Sequence, residues 1–61
     1  MDHLPLNDIP MLVSSINFLL RDHEFDNLDQ ICYCFDVPRD KMDSILASQG
    51  YSYQEKLNCV K

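Results

Sequence analysis

Three segments with apolar residues at helical spacing constrain the fold most, because only 61 residues are available to bury them. A domain of this size buries about 60% of the surface that its unfolded chain exposes, so nearly every apolar residue is needed in the core. We therefore expect one domain over residues 1–61. With 46% hydrophobic and 25% charged residues, the composition is typical of a globular chain rather than a disordered one.

The first segment, DIPMLVSSINFLLRD, predicts a helix that begins near Ile9. Asp8 is a suitable N-cap, and Pro10 lies in the first turn, where its missing N–H costs no hydrogen bond. Arg21 and Asp22 end the segment with polar side chains. The helical spacing predicts a core-facing stripe of Ile9, Leu12, Val13, Ile16, Leu19 and Leu20.

Met11 and Phe18 form a second, smaller apolar surface on the same helix. They are seven residues apart and therefore share a face, with Ser14 and Ser15 between them and away from the main stripe. Two interpretations stay open at this point. Either the LPL segment at residues 4–6 or the C-terminal tail covers this surface, or it binds a partner or a second copy of the chain.

The second segment predicts a helix after the linker HEFDN. Asn27 can cap this helix, and Gln30, at the third helical position, can close a capping box. The apolar face of the helix consists of Leu28, Ile31, Cys32 and Phe35. Cys34 is rotated by about 200° from Cys32 and lies on the flank. Two cysteines placed in this way cannot chelate one ion or form a disulfide unless the helix unwinds, so neither a metal clip nor a redox pair is expected.

The third segment predicts a helix from about Pro38 to Ser48, followed by Gly50 as a left-handed cap. Its buried stripe consists of Met42, Ile45 and Leu46. Together with the second helix it resembles a helix-turn-helix unit. Cys32 fills the small position where the two helices cross, and Asp36 stands at the turn position where glycine is common.

The tail, GYSYQEKLNCVK, changes from helical to alternating periodicity. The alternation around Ser52 and again around Cys59 predicts a short β-hairpin across the polar QEK. Tyr51, Tyr53 and Val60 are expected to cover one end of the helical core. The predicted fold is mainly α with a small C-terminal hairpin: three helices, including a helix-turn-helix, in the order of a minimal winged helix.

Several short stretches carry a resemblance that covers nearly the whole chain. They are LP at residues 4–5, MLVSSIN and LRD in the first helix, LDQIC at residues 28–32, and GYSY with Asn58 in the tail. In this order the chain resembles a family of very short bacterial proteins known only as domain of unknown function number 4250. It departs from the family pattern by one extra residue before the first helix, at Pro38, where an N-capping residue is usual, and at Val60, where an aromatic is usual. The resemblance implies a self-contained domain of the bacterial cytoplasm and transfers no catalytic or binding residue.

Charge decides between the two classes of partner that such a fold can have. Five basic and ten acidic residues give a net charge of −5, which repels nucleic acid and anionic membranes. The third helix is expected to present Arg39, Asp40 and Asp43 on its outer face, so two carboxylates would meet the phosphates of a duplex. We therefore expect a non-catalytic module that binds another protein, or itself, through this acidic face or through Met11 and Phe18.

The alternative function is a DNA-binding transcriptional regulator of the winged-helix type. In that case the phosphate contacts would come from Arg39 and Lys41 on the third helix and from Lys56 and Lys61 on the hairpin. A fold of this kind serves both classes of function, so the choice depends on the surface.

The sequence predicts no catalytic, cofactor or metal site. The acidic stretch RDHEFDNLD around His23 lacks the glycine and the terminal glutamate of a calcium loop, and neither His3 nor the cysteines have zinc-knuckle spacing. A nucleophilic Cys34 would need a base and an electropositive setting, which the sequence does not show.

No apolar run approaches the ~20 residues of a membrane span, and MDHLPLND is unlike a secretion signal. Three cysteines, an odd number, favour a reducing cytoplasm.

Overall fold

The chain folds into three helices followed by a two-stranded antiparallel hairpin. A computed structural model describes residues 4–61, so His3 and the first residues of MDHLPLND lie outside the described part. The elements are α1 (Ile9–Arg21), α2 (Leu28–Cys34), α3 (Arg39–Ala47), β1 (Tyr53–Gln54) and β2 (Cys59–Val60). This order confirms the predicted mainly helical fold with a small C-terminal hairpin.

Helix α1 confirms the predicted start and the predicted core face. The Asp8 carboxylate accepts a hydrogen bond from the backbone N–H of Met11 at 3.2 Å, which caps the helix. Every residue of the predicted stripe contributes to the core, with Ile9 partly buried. Ser15 departs from the prediction, because it is buried at the border of the apolar stripe whereas Ser14 is exposed.

Helix α2 begins at the predicted cap, but its capping box is displaced by one residue. The Asn27 side chain accepts a hydrogen bond from the Gln30 N–H at 3.0 Å, whereas the Gln30 side chain accepts from the Asp26 N–H at 2.8 Å. The linker is therefore fixed to the first turn through Asp26 rather than through Asn27. Helix α3 is one residue shorter at each end than predicted, with Pro38 as N-cap and Ser48 as C-cap.

Each of the three helices is followed by a residue with a left-handed backbone: His23 (φ 61°), Asp36 (φ 58°) and Gly50 (φ 82°). After α2, the Val37 N–H donates to the Cys32 carbonyl at 2.9 Å. The Asp36 N–H donates to the Tyr33 carbonyl at 3.3 Å. These two bonds define a Schellman motif, and the same pair of bonds closes α1 and α3. The sequence predicted this conformation for Gly50 and allowed it for Asp36, but gave no indication of it at His23.

Replacing Gly50 with alanine is expected to lower the free energy of unfolding by about 1 kcal/mol, since a Cβ disfavours the left-handed conformation. No atom lies within 4 Å of the position that the Cβ would occupy, so the cost is conformational rather than steric. The matched change His23→Gly is expected to stabilise the chain by about 0.5 kcal/mol. Urea denaturation of both variants measures the two effects, and a loss of stability in both would contradict this assignment.

The predicted hairpin is confirmed, although Gln54 belongs to β1 and Asn58 to the turn rather than to the second strand. Tyr53 lies opposite Val60 and Gln54 opposite Cys59, and a four-residue turn joins the strands. Val60 is buried in the core and Tyr53 is partly buried against it. The Tyr53 hydroxyl donates to the Asn58 side chain at 2.5 Å, so the tyrosine hydroxyl is satisfied within the hairpin.

Asn17 attaches the hairpin to α1. Its side-chain oxygen accepts a hydrogen bond from the Val60 N–H at 2.7 Å, and its amide nitrogen donates to the Val60 carbonyl at 2.9 Å. One side chain thus satisfies both backbone groups of a residue on β2, as a neighbouring strand would. The contact joins residues 43 positions apart, so no local pattern in the sequence predicts it.

Candidate functional site

Arg39 at the start of α3 is engaged in an ion-pair cluster. Its Nη1 lies 2.6 Å from Oδ1 of Asp29 on α2, and its Nε lies 3.1 Å from Oδ1 of Asp43 one turn further along α3. The guanidinium carbon lies 5.2 Å from the centre of the Tyr53 ring on β1, within the range of a cation–π contact. One cation therefore links α2, α3 and the hairpin.

The charge balance of this cluster is negative. Burial by itself would lower the pKa of the Arg39 guanidinium, but hydrogen bonds and the charges of Asp29 and Asp43 outweigh burial and raise that pKa. The guanidinium therefore stays charged and faces two carboxylates. Asp40 and Lys41 on the same helix are exposed and offset each other, so the outer face of α3 has no excess of positive charge.

Met11 and Phe18 are exposed on the outer face of α1. Their relative exposures are 54% and 55%, so residues 4–61 leave more than half of each side chain in contact with solvent. Leu4, from the LPL segment that could have covered them, is buried in the core. Helix α1 thus has an exposed apolar surface, and none of its residues belongs to the ion-pair cluster around Arg39.

Tyr33 and Leu57 are two further exposed apolar side chains, which were not among the predicted site residues. Tyr33 is 90% exposed on α2, and Leu57 is 58% exposed in the hairpin turn. The position of Tyr33 could have been found, because it is rotated by about 100° from Cys32 and away from the core face. Leu57 lies in a turn, where apolar periodicity gives no information.

Two shallow grooves share Tyr33 in their linings. One, with a volume of about 720 Å³, is lined by Glu24, Phe25, Asn27, Asp29, Gln30, Tyr33 and Cys34. The other, of about 780 Å³, is lined by Cys32, Tyr33, Asp36, Val37 and Pro38. Within the described residues, both linings include carboxylates and neither includes a lysine, an arginine or a histidine. The exposed ring therefore lines two grooves whose linings carry carboxylates and no cation.

The cysteines have the predicted register on α2. Cys32 is 3% exposed in the core, Cys34 is exposed, and Cys59 is intermediate, and all three thiols are free. Burial raises the pKa of the Cys32 thiol; the charge of Arg39 lowers this pKa by less, and the charges of Asp29 and Asp43 raise it further. Across residues 4–61, no three or more histidine, cysteine, aspartate or glutamate side chains are grouped so that they could hold a metal ion.

Alkylation of the native protein is expected to modify Cys34 first, Cys59 more slowly and Cys32 last. The reactive form of a cysteine is the thiolate. Cys32 is buried and its pKa is raised, so it reacts only when the core opens locally. A time course with iodoacetamide, followed by mass spectrometry of the peptides, gives the order. Faster reaction of Cys32 than of Cys34 would contradict the register of α2.

The raised pKa of Cys32 also predicts how stability depends on pH. The folded state holds the thiol proton more tightly than the unfolded state, so this contribution is complete below the ordinary value of 9.0 and is lost as the pH rises through the folded value. In urea denaturation above pH 9, the free energy of unfolding is expected to fall less with rising pH for Cys32→Ala than for the unchanged chain. An equal fall in both would show that ionisation of this thiol does not cause the loss of stability.

Comparison with known proteins agrees with the resemblance seen in the sequence. The family model described as domain of unknown function (DUF4250) matches residues 6–59, which include the three helices and β1 and extend into β2. Neither the curated proteins nor the solved structures contain a match to this chain. Arg39, Asn17 and Tyr33 all lie within the matched range. None of the described helices is long and apolar enough to cross a membrane.

Proposed function

The chain belongs to the DUF4250 family, and we propose that it acts as a non-catalytic module that binds another protein. The observation that carries this proposal is the pairing of Arg39 with Asp29 at 2.6 Å and with Asp43 at 3.1 Å. A helix-turn-helix protein that reads DNA gains most of its affinity from lysine and arginine side chains that replace counterions on phosphates. On α3 the charge of the arginine is already balanced by Asp29 and Asp43, and these two carboxylates would repel a phosphate that approached it.

The exposed side chains support a protein partner. Met11 and Phe18 expose apolar surface on α1, and Tyr33 exposes an aromatic ring on α2. Methionine and aromatic side chains are enriched in protein interfaces, where their burial contributes binding energy. The net charge of −5 favours a partner with a basic surface, because opposite charges speed association and disfavour wrong partners.

A DNA-binding regulator of the winged-helix type is the alternative, and the order of α2, α3 and the hairpin favours it. In this case Lys41, Lys56 and Lys61, all exposed, would supply the phosphate contacts that Arg39 does not. Such binding would be steeply salt-dependent, since each neutralised phosphate releases counterions.

Binding to a pool of random-sequence duplex DNA, measured by fluorescence anisotropy at low and at physiological salt, separates the two functions. We expect no saturable binding at either salt concentration. Lys41→Glu removes an exposed lysine that the DNA-binding alternative needs, whereas Arg39→Glu changes the charge equally at a residue that is already paired with Asp29 and Asp43. Saturable binding that weakens with salt and is abolished by Lys41→Glu would overturn the proposal in favour of DNA.

The protein-binding function itself is tested by crosslinking in cells. A photoreactive amino acid at position 11, 18 or 33 is expected to give a defined crosslinked species, whereas the same probe at exposed Ser48 is not. Identical crosslinking from all four positions, or from none, would contradict a specific interaction surface.

A further inference from the structure

We infer that the outer face of α2 binds a basic segment of a partner protein, with Tyr33 and the carboxylates beside it as the recognition surface. This inference rests on the proposed interaction function and names the site and the chemistry of its partner. It starts from the exposure of Tyr33, which is 90% exposed while Tyr51 and Tyr53 are partly buried against the core. A chain this short needs its apolar residues for folding, and Tyr33 contributes almost nothing to the core.

The grooves that share Tyr33 offer apolar side chains to a partner. One groove contains Phe25, whose ring lies 6.3 Å from that of Phe35, centroid to centroid. The other contains Val37 and Pro38, which follow the left-handed turn after α2. A segment that contacts the Tyr33 ring can therefore reach further apolar side chains in both grooves.

The charges along these grooves select the partner. Glu24 and Asp29 line the first groove and Asp36 lines the second, and none of the described lining residues is cationic. Arg39 contacts Asp29 through a single carboxylate oxygen, and the Asp29 side chain is still 70% exposed, so it can accept a second cation. An anionic segment would be repelled by all three carboxylates.

Arginine and lysine side chains fit this surface for three physical reasons. A cation within about 6 Å of the face of a tyrosine ring is attracted by it. The aliphatic stem of the same side chain can lie along apolar surface while its charged end reaches a carboxylate. Arginine is expected to bind better than lysine, because its planar guanidinium stacks on a ring and forms paired hydrogen bonds to a carboxylate.

The test uses the full chain and a library of random peptides displayed on phage. Peptides are selected in parallel against the unchanged chain, Tyr33→Ala and the double variant Met11→Ser with Phe18→Ser. Since Tyr33 is almost fully exposed, its substitution leaves the fold intact, and circular dichroism checks this. The binding constant of an enriched peptide is then measured for the unchanged chain, Tyr33→Phe and Tyr33→Ala.

We expect the unchanged chain and the Met11/Phe18 variant to enrich arginine-containing peptides, and Tyr33→Ala to lose them. Tyr33→Phe is expected to bind within about twofold of the unchanged chain, and Tyr33→Ala roughly 3- to 30-fold more weakly, because the ring face rather than the hydroxyl makes the contact. Peptides that bind Tyr33→Ala equally well, peptides without basic residues, or no enrichment at all would overturn the inference. Peptides lost only from the Met11/Phe18 variant would overturn it while supporting the proposed function, and saturable duplex binding would overturn both.

Discussion

Replacing Asn17 with alanine is expected to lower the free energy of unfolding by about 2 to 4 kcal/mol, because both backbone groups of Val60 lose their partner. Val60 is 2% exposed, so water replaces these hydrogen bonds poorly. A chain of this length has roughly 3 to 9 kcal/mol of total stability, so a large fraction would be lost. Urea denaturation followed by circular dichroism measures the change, and hydrogen exchange at the Val60 amide reports release of the hairpin.

Two matched variants make this prediction specific. Asn7→Ala removes an exposed asparagine and is expected to change stability by no more than about 0.5 kcal/mol. Asn17→Asp keeps an acceptor for the Val60 N–H but points a carboxylate oxygen at the Val60 carbonyl, so we expect it to be less stable than Asn17→Ala at neutral pH. Its deficit relative to the unchanged chain should shrink as the pH falls toward about 4, because the folded state gains the carboxyl proton at a higher pH than the unfolded state does. Equal effects of Asn17→Ala and Asn7→Ala would show that the hairpin is not attached in this way.

Local signals in the sequence predicted the helices and the hairpin. These signals connect residues only three or four positions apart, so they can be recognised in the sequence. They are the helix caps at Asp8 and Asn27 and the apolar stripes of the helices. The contact of Asn17 with Val60 was not visible, because it joins residues 43 positions apart and leaves no periodic pattern. The left-handed conformation of His23 was missed for a different reason: no residue type at that position indicated it.

The candidate site was predicted in part, and the missing part is also explained by distance along the chain. The spacing of Met11 and Phe18 predicted their shared outer face, and both are exposed. The exposure of Arg39 was overestimated, because Asp29 lies on the preceding helix and becomes its neighbour only when the turn at Asp36 brings α2 and α3 together. A pair at helical spacing, such as Arg39 with Asp43, can be anticipated from sequence alone.

Replacing Cys32 with leucine is expected to lower the free energy of unfolding by about 1 to 3 kcal/mol, because the larger side chain overpacks the region where α2 meets α3. Cys32 is 3% exposed, and its carbonyl accepts the Val37 N–H at 2.9 Å, so the backbone cannot shift outward without breaking the Schellman motif. Cys32→Ala keeps a small side chain and is expected to cost about 1 kcal/mol or less.

Cys34→Leu is the matched control for this prediction, because it adds the same atoms two residues further along α2, where the side chain is exposed. We expect its stability to stay within about 0.5 kcal/mol of the unchanged chain in urea denaturation. A displaced α3 should also separate Arg39 from Asp29, which an NMR shift of the Arg39 Nε–H would report in Cys32→Leu but not in Cys34→Leu. If both leucine variants were equally stable, Cys32 would not be the residue that sets the approach of the two helices.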